Sequence, residues 1–139
     1  MNRFITTSEE ETIALGIKIA QLSKKGVTYT LKGDMAAGKT KFSQGFAKGL
    51  LVDEYVTSPT FNVHNVYKFN GGELHHFDFY RITSEEEAFN LYVDEYFGME
   101  NTICLIEWPE NIENLIPKDN VINIYITKIS ENEREFLIN

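Results

Sequence analysis

The sequence predicts an α/β domain in which a mixed β-sheet is flanked by helices, and three stretches carry that prediction. A β-rich segment, VTYTLKG from Val27, runs into the glycine-rich turn GDMAAGKT and then into an amphipathic helix. Two alternating segments flank Asn70-Gly71-Gly72, and TICLIEW from Thr102 is an apolar run that ends in an acid and a tryptophan. At 139 residues the chain accommodates one compact domain, spanning residues 1–139.

Each element has a local cause. Ser8 followed by Glu11 is a capping-box pattern, in which hydroxyl and carboxylate each satisfy a free backbone donor at a helix start. Ile13, Ile17 and Ala20 then recur on one face, and Lys24, Lys25 and Gly26 suit that helix's end. A second helix begins near Lys39 with Phe42, Phe46 and Leu50 on its buried side. After the break at Ser58-Pro59, FNVHNVYKF and ELHHFDFYR form a hairpin, because Asn and Gly tolerate positive φ in its turn. Ser84 with Glu87 repeats the capping pattern ahead of a short helix. TICLIEW reads as a strand covered on both faces, Pro109 stops it, and VINIYITKI with REFLIN forms a last hairpin around SENE.

Composition narrows the function classes. With 42% hydrophobic and 24% charged residues the chain has the make-up of a soluble protein, and no apolar run approaches the roughly 18 residues of a membrane span. MNRFITTSEEE turns acidic before any apolar stretch, unlike a secretory signal. The one cysteine, Cys104, lies inside ICLI and reads as a small core residue, and the expected compartment is a reducing cytoplasm. A net charge of −8, with only Arg3, Arg81 and Arg134 as arginines, argues against direct grip on nucleic acid. Any RNA contact is expected to come through partners.

Gly33-Asp34-Met35-Ala36-Ala37-Gly38-Lys39-Thr40 fits G-x-x-x-x-G-K-[ST] in full, between a strand and a helix, which makes the fold P-loop NTPase-like. The glycines let backbone N–H groups from Gly33 to Lys41 turn toward phosphate oxygens, and the helix N-terminus adds roughly half a positive charge. Lys39 would reach the outer phosphates and the Thr40 hydroxyl a Mg²⁺ ion. Glu107, at the carboxyl end of the apolar strand, is the expected carboxylate for that metal. Because Trp108 rather than a second acid follows it, either hydrolysis is slow or a base comes from elsewhere, with Asp78 the candidate and a structural carboxylate the alternative. Thr60 is the candidate γ-phosphate sensor, with an ordinary turn as the alternative. Adjacent strand residues face opposite sides, so His75 and His76 are assigned no chemistry, nor is His64. The runs Glu9-Glu10-Glu11 and Glu85-Glu86-Glu87 read as solvated first turns.

No Asn-Lys-x-Asp guanine-reading motif occurs, which disfavours a GTPase, and the arginine-poor middle gives little support to a small-molecule or nucleoside kinase. The blocks SEEETIALG, GDMAAGKTKFSQGFAKGL, SPTFNVHNVY, HFDFYRI and CLIEWPENI, followed by LIP, resemble the bacterial tRNA threonylcarbamoyladenosine biosynthesis protein TsaE family, a group of small P-loop ATPases. The resemblance implies ATP and Mg²⁺ as cofactors and, as partner, a protein heterodimer that transfers a threonylcarbamoyl group to N6 of the tRNA adenosine beside the anticodon; the ATPase resets that heterodimer. It also implies roles for Asp78, Thr60 and Trp108 at the γ-phosphate or the partner contact, and brings Ser8, Thr12 and Arg134 toward the nucleotide. Tyr80, Phe77, Phe79 and Trp108 could form a docking surface, with exposure expected for Trp108 alone. Ala36 stands where that family commonly has glycine, a departure that keeps the N–H but stiffens the loop.

Overall fold

The computed structural model describes residues 2–34 and 36–139. Its elements are β1 (Asn2–Thr6), α1 (Glu9–Gln21), β2 (Thr28–Lys32), α2 (Lys39–Gly49), β3 (His64–Phe69), β4 (Gly72–Asp78), α3 (Glu85–Asn90), β5 (Thr102–Glu107), β6 (Val121–Lys128) and β7 (Arg134–Ile138). Short 3-10 helices cover Val93–Tyr96 and Pro109–Leu115. Among the described residues the strands form one seven-stranded sheet, ordered β1-β7-β6-β2-β5-β4-β3. The centre, β6-β2-β5-β4, is parallel, while β1, β7 and β3 join antiparallel. This is the mixed sheet the sequence predicts.

β5 is buried at every position, and its alternating side chains feed two cores. Ile103 and Leu105 join Tyr29, Leu31 and Leu74 against Phe42 and Phe46 of α2 and Leu15 of α1. Cys104 and Ile106 face the other way, with Phe77, Phe79, Ala88 and Ile112. A parallel strand covered on both faces has no polar side to spare, which is why TICLI reads as continuous. Its one acid, Glu107, comes at the end.

The two long helices touch through glycine. A Cβ on Gly16 would collide with the Phe42 carbonyl oxygen, and one on Gly45 with the Ile13 carbonyl oxygen. That contact rotates α1 from the predicted face: Thr12, Leu15, Gly16 and Ala20 are buried, and Ile13 and Ile17 lie half-buried at the flank toward α2. The helix also ends at Gln21, before Lys24 and Gly26.

Both capping patterns form with one change. Ser8 Oγ accepts from Glu11 N at 3.1 Å and Ser84 Oγ from Glu87 N at 3.2 Å. The carboxylates reach one residue further back than predicted, to Thr7 N at 2.7 Å and Thr83 N at 3.0 Å. β1 was not anticipated. Its burial is slight along most of its length, and it is held by pairing with β7, from Asn2 opposite Ile138 to Thr6 opposite Arg134.

Candidate active site

Register places the site. Leu31 on β2 and Asp78 on β4 both lie level with Glu107 on β5, so the glycine turn leaves the sheet beside two carboxylates at adjacent strand ends. In parallel sheets such strand ends open into a crevice, and here it measures about 300 Å³. Ala36, Gly38, Lys39, Thr40 and Lys41 form its loop side; Ser58, Thr60, Asp78, Glu107 and Trp108 form the other, with Tyr80 and Arg81.

The start of α2 differs from the other two α-helices. α1 and α3 each have a serine cap and three glutamates in the first turn. α2 has Gly38 as its cap, at φ 110°, with no side-chain cap bond and no acid in its first turn. Lys39 and Lys41 stand there instead. Cations at a helix N-terminus oppose the dipole, so this end is left electropositive, with its first amide donors available to an anion.

Lys39 is buried, and its Nζ donates to the Gly33 carbonyl at 2.6 Å while lying 3.8 Å from the centre of the Trp108 ring. Burial lowers its pKa, and the nearby carboxylates of Glu107, Asp78, Glu110 and Asp34 act in the opposite sense. Asp78 Oδ2 accepts from Thr60 Oγ1 at 2.9 Å and from Ser58 Oγ at 3.2 Å, and Oδ1 accepts from Tyr80 N at 2.9 Å. Thr60 is thus tied to Asp78 at the crevice wall, and Asp78 is a hydrogen-bonded acceptor, as its structural reading has it, that also lines the crevice.

A second cavity of about 150 Å³ shares Gly38 and Lys41 with the crevice. Ser8, Glu9, Thr12, Gly38, Lys41 and Arg134 line it, together with Glu131 and Asn132. It brings together the three residues that the sequence tied to the nucleotide less directly. Thr12 Oγ1 and Thr6 Oγ1 share a hydrogen bond of 2.8 Å. Arg134 donates to the carbonyls of Ser130, Glu131, Glu133 and Ala36, so its guanidinium is held by backbone beside the glycine turn.

Other expected loop residues lie elsewhere. Gly33 and Asp34 border a separate groove with Tyr125 and Thr127, and Ala37 is buried. Met35 lies outside the described residues. Phe77 and Phe79 are fully buried and cannot dock a partner, Tyr80 is 47% exposed, and Trp108 is half-buried rather than exposed. Cys104 is the core residue expected, with burial pushing its thiol up to about 12.

The sequence reading missed His76 and Arg81. His76 Nε2 donates to Glu107 Oε2 at 2.6 Å, both side chains being buried. Counting by two along β4 from Asp78 puts His76 on the crevice face, a signal that reading His75-His76 as a metal set does not use. Arg81 stacks over the exposed Phe61 ring at 4.4 Å.

The residues present fit a nucleotide with a hard divalent cation. The basic, uncapped helix start suits phosphates, and Thr40, Asp78 and Glu107 offer oxygen donors only. Among the described residues no three His, Cys, Asp or Glu groups converge as an all-protein cage. Mg²⁺ does not need one, since phosphates and water complete its shell. Among the described residues no helix is long and apolar enough to cross a membrane.

The family model described as "Threonylcarbamoyl adenosine biosynthesis protein TsaE" matches residues 6–136. A Bacillus subtilis protein named tRNA threonylcarbamoyladenosine biosynthesis protein TsaE is 40% identical over 130 residues, covering 94% of this chain and 80% of that protein. A Treponema pallidum protein of the same name is 33% identical over 137 residues, 98% of each. The crystal structure of Bacillus subtilis YdiB superposes with a TM-score of 0.82 at 35% identity, covering 97% of this chain and 82% of that one. The strand-loop-helix cradle, the paired strand-end acids and these matches agree: the chain belongs to the threonylcarbamoyl adenosine biosynthesis protein TsaE family.

Proposed function

We propose that this chain is a slow, partner-regulated ATPase of tRNA threonylcarbamoyladenosine synthesis. It binds ATP with Mg²⁺ in the crevice, and the ATP cycle resets a protein heterodimer that transfers the threonylcarbamoyl group to N6 of the adenosine beside the anticodon. The observation that carries the nucleotide part is the bare, doubly basic start of α2 facing Asp78 and Glu107. The names of the relatives support the pathway.

The loop amides and Lys39 hold the phosphates, with Ser8, Thr12 and Arg134 beside the remainder of the nucleotide. Thr40 and Glu107 hold Mg²⁺, which supplies charge neutralisation between phosphate oxygens when bound. Thr60 senses the outer phosphate through its bond to Asp78. Hydrolysis is slow because the neighbour of Glu107 is Trp108 rather than a second acid, and because Asp78 already accepts from Ser58, Thr60 and the Tyr80 amide. The charge of −8 leaves tRNA contact to the partners. Trp108 and Tyr80, at the crevice wall, form part of the partner contact.

The test is capture from lysate in ATP and Mg²⁺ with the purified chain as bait, alongside ATP binding by Lys39→Ala and Glu107→Ala. Recovery of a carbamoyl-transferring heterodimer supports the proposal. Rapid phosphoryl transfer to a small metabolite without any partner overturns it, in favour of a kinase.

A further inference from the structure

We infer that His76 is a positioning residue that makes Glu107 a one-oxygen ligand and so biases the site toward Mg²⁺ over Ca²⁺; the inference rests on the proposed metal role of Glu107. Three observations converge. The Nε2–H of His76 donates to Glu107 Oε2 over 2.6 Å, and the side chains are only 1% and 4% exposed. Glu107 is the sole hydrogen-bond partner of the His76 side chain among the described residues, for His76 Nδ1 is buried with none. Glu107 Oε1, by contrast, takes no hydrogen bond among the described residues, and its side chain lines the crevice.

A glutamate has several rotatable bonds, so a strand end alone does not fix its carboxylate. The imidazole does, because a bond to an ionised acceptor in a dry setting is both short and strong. Register makes it possible: Asp78 lies level with Glu107, and His76, two residues earlier on β4, shares that face one step deeper in the sheet. The ring therefore approaches from the protein side and leaves Oε1 toward the crevice. With one lone pair of Oε2 given to His76 and that oxygen held toward the imidazole, a clasp of one cation by both oxygens is disfavoured against ligation through Oε1 alone. A small, strictly octahedral Mg²⁺ does not need that clasp, whereas Ca²⁺ accepts bidentate carboxylates readily.

The experiment titrates the full chain with Mg²⁺, and separately with Ca²⁺, at a fixed concentration of a non-hydrolysable ATP analogue; Trp108 fluorescence is the readout. His76→Leu is expected to weaken the Mg²⁺ response about 10–100-fold, the range for lost outer-shell partners, while the Ca²⁺ response changes far less. His76→Gln, whose amide N–H can stand where Nε2–H stood, restores most of the Mg²⁺ response. His76→Asn, one carbon shorter, does not. Nucleotide binding in EDTA stays near wild type in all three. An unchanged Mg²⁺ response in His76→Leu, an equal loss for both cations, or equal behaviour of the Gln and Asn variants overturns the inference. Should the Leu variant fail to fold, the Gln and Asn pair decides. Glu107→Gln separates this from the underlying reading: a wild-type Mg²⁺ response there removes the metal role itself, whereas a loss there with none at position 76 overturns only the positioning role.

Discussion

The Lys39 ammonium lies 3.8 Å from the centre of the Trp108 ring while it donates to the Gly33 carbonyl at 2.6 Å. A cation over an indole face gains from the ring quadrupole, most of all when desolvated, and this ammonium is buried. An arriving phosphate competes for that ammonium with both partners. Trp108 is the one tryptophan in the chain, so its emission reports the exchange. ATP is expected to change Trp108 fluorescence saturably, and Lys39→Ala to remove the response. A flat titration for the wild-type chain with ATP bound by calorimetry would rule out the exchange.

Asp78→Ala removes the shared acceptor of Ser58, Thr60 and the Tyr80 amide. Leaving such donors unsatisfied in a part-buried site costs about 1–3 kcal/mol, read as a lower denaturation midpoint. The segment from Thr57 to Val63 loses its anchor and becomes more sensitive to proteases. ATP hydrolysis is expected to drop while ATP affinity holds, since in the proposed site the phosphate contacts come from the loop. A loss of affinity equal to the loss of rate would place Asp78 in binding instead.

Ala36 sits at φ 62°, the left-handed region, where a Cβ costs roughly 1–2 kcal/mol. Ala36→Gly relieves that strain but adds freedom to the unfolded chain, for a net gain of about 1 kcal/mol and a Tm rise of about 3 °C. Differential scanning calorimetry checks it, and a Tm at or below wild type contradicts it.

Burial, and after it His75 lying against the ring, pushes the His64 imidazole down from its ordinary 6.5 to about 4. Their rings share a contact of 2.8 Å between Nε2 and Nδ1, and His64 stacks on Phe77 at 4.2 Å. The folded value is below the unfolded one, so the unfolded chain binds the extra proton first. The resulting stability is complete above about pH 6.5 and is lost as pH falls toward 4. Urea midpoints measured between pH 7 and pH 4.5 should fall for wild type and fall less for His64→Gln. Parallel curves would contradict the assignment.

The parts of the fold that were legible in the sequence are those with local causes. The caps of α1 and α3, the Asn70-Gly71 turn and the covered strand β5 each follow from a few neighbouring residues. β1 was not legible, because Asn2–Thr6 owes its form to β7 at the other end of the sequence. The face of α1 was misjudged for a related reason: the fit of Gly16 and Gly45 between two backbones is a property of the pair, while hydropathy periodicity marks only one helix. In the site, the motif points to Lys39 and Thr40 and the end of the apolar strand to Glu107, while register is needed to set His76 beside Glu107. A side chain whose role is to hold another has no motif of its own.

The cavity beside Gly38 joins Ser8 and Thr12, made early in synthesis, to Arg134, made late. On a ribosome the glycine turn and both strand-end acids emerge well before the strand that closes this cavity. The wall of the neighbouring cavity is complete only once β7 pairs with β1 and β6. A chain cut before residue 134 would lose the Arg134 guanidinium together with Phe136, which stacks on Phe42 of α2 at 5.6 Å, so the last strand braces both the second cavity and the helix behind the glycine turn.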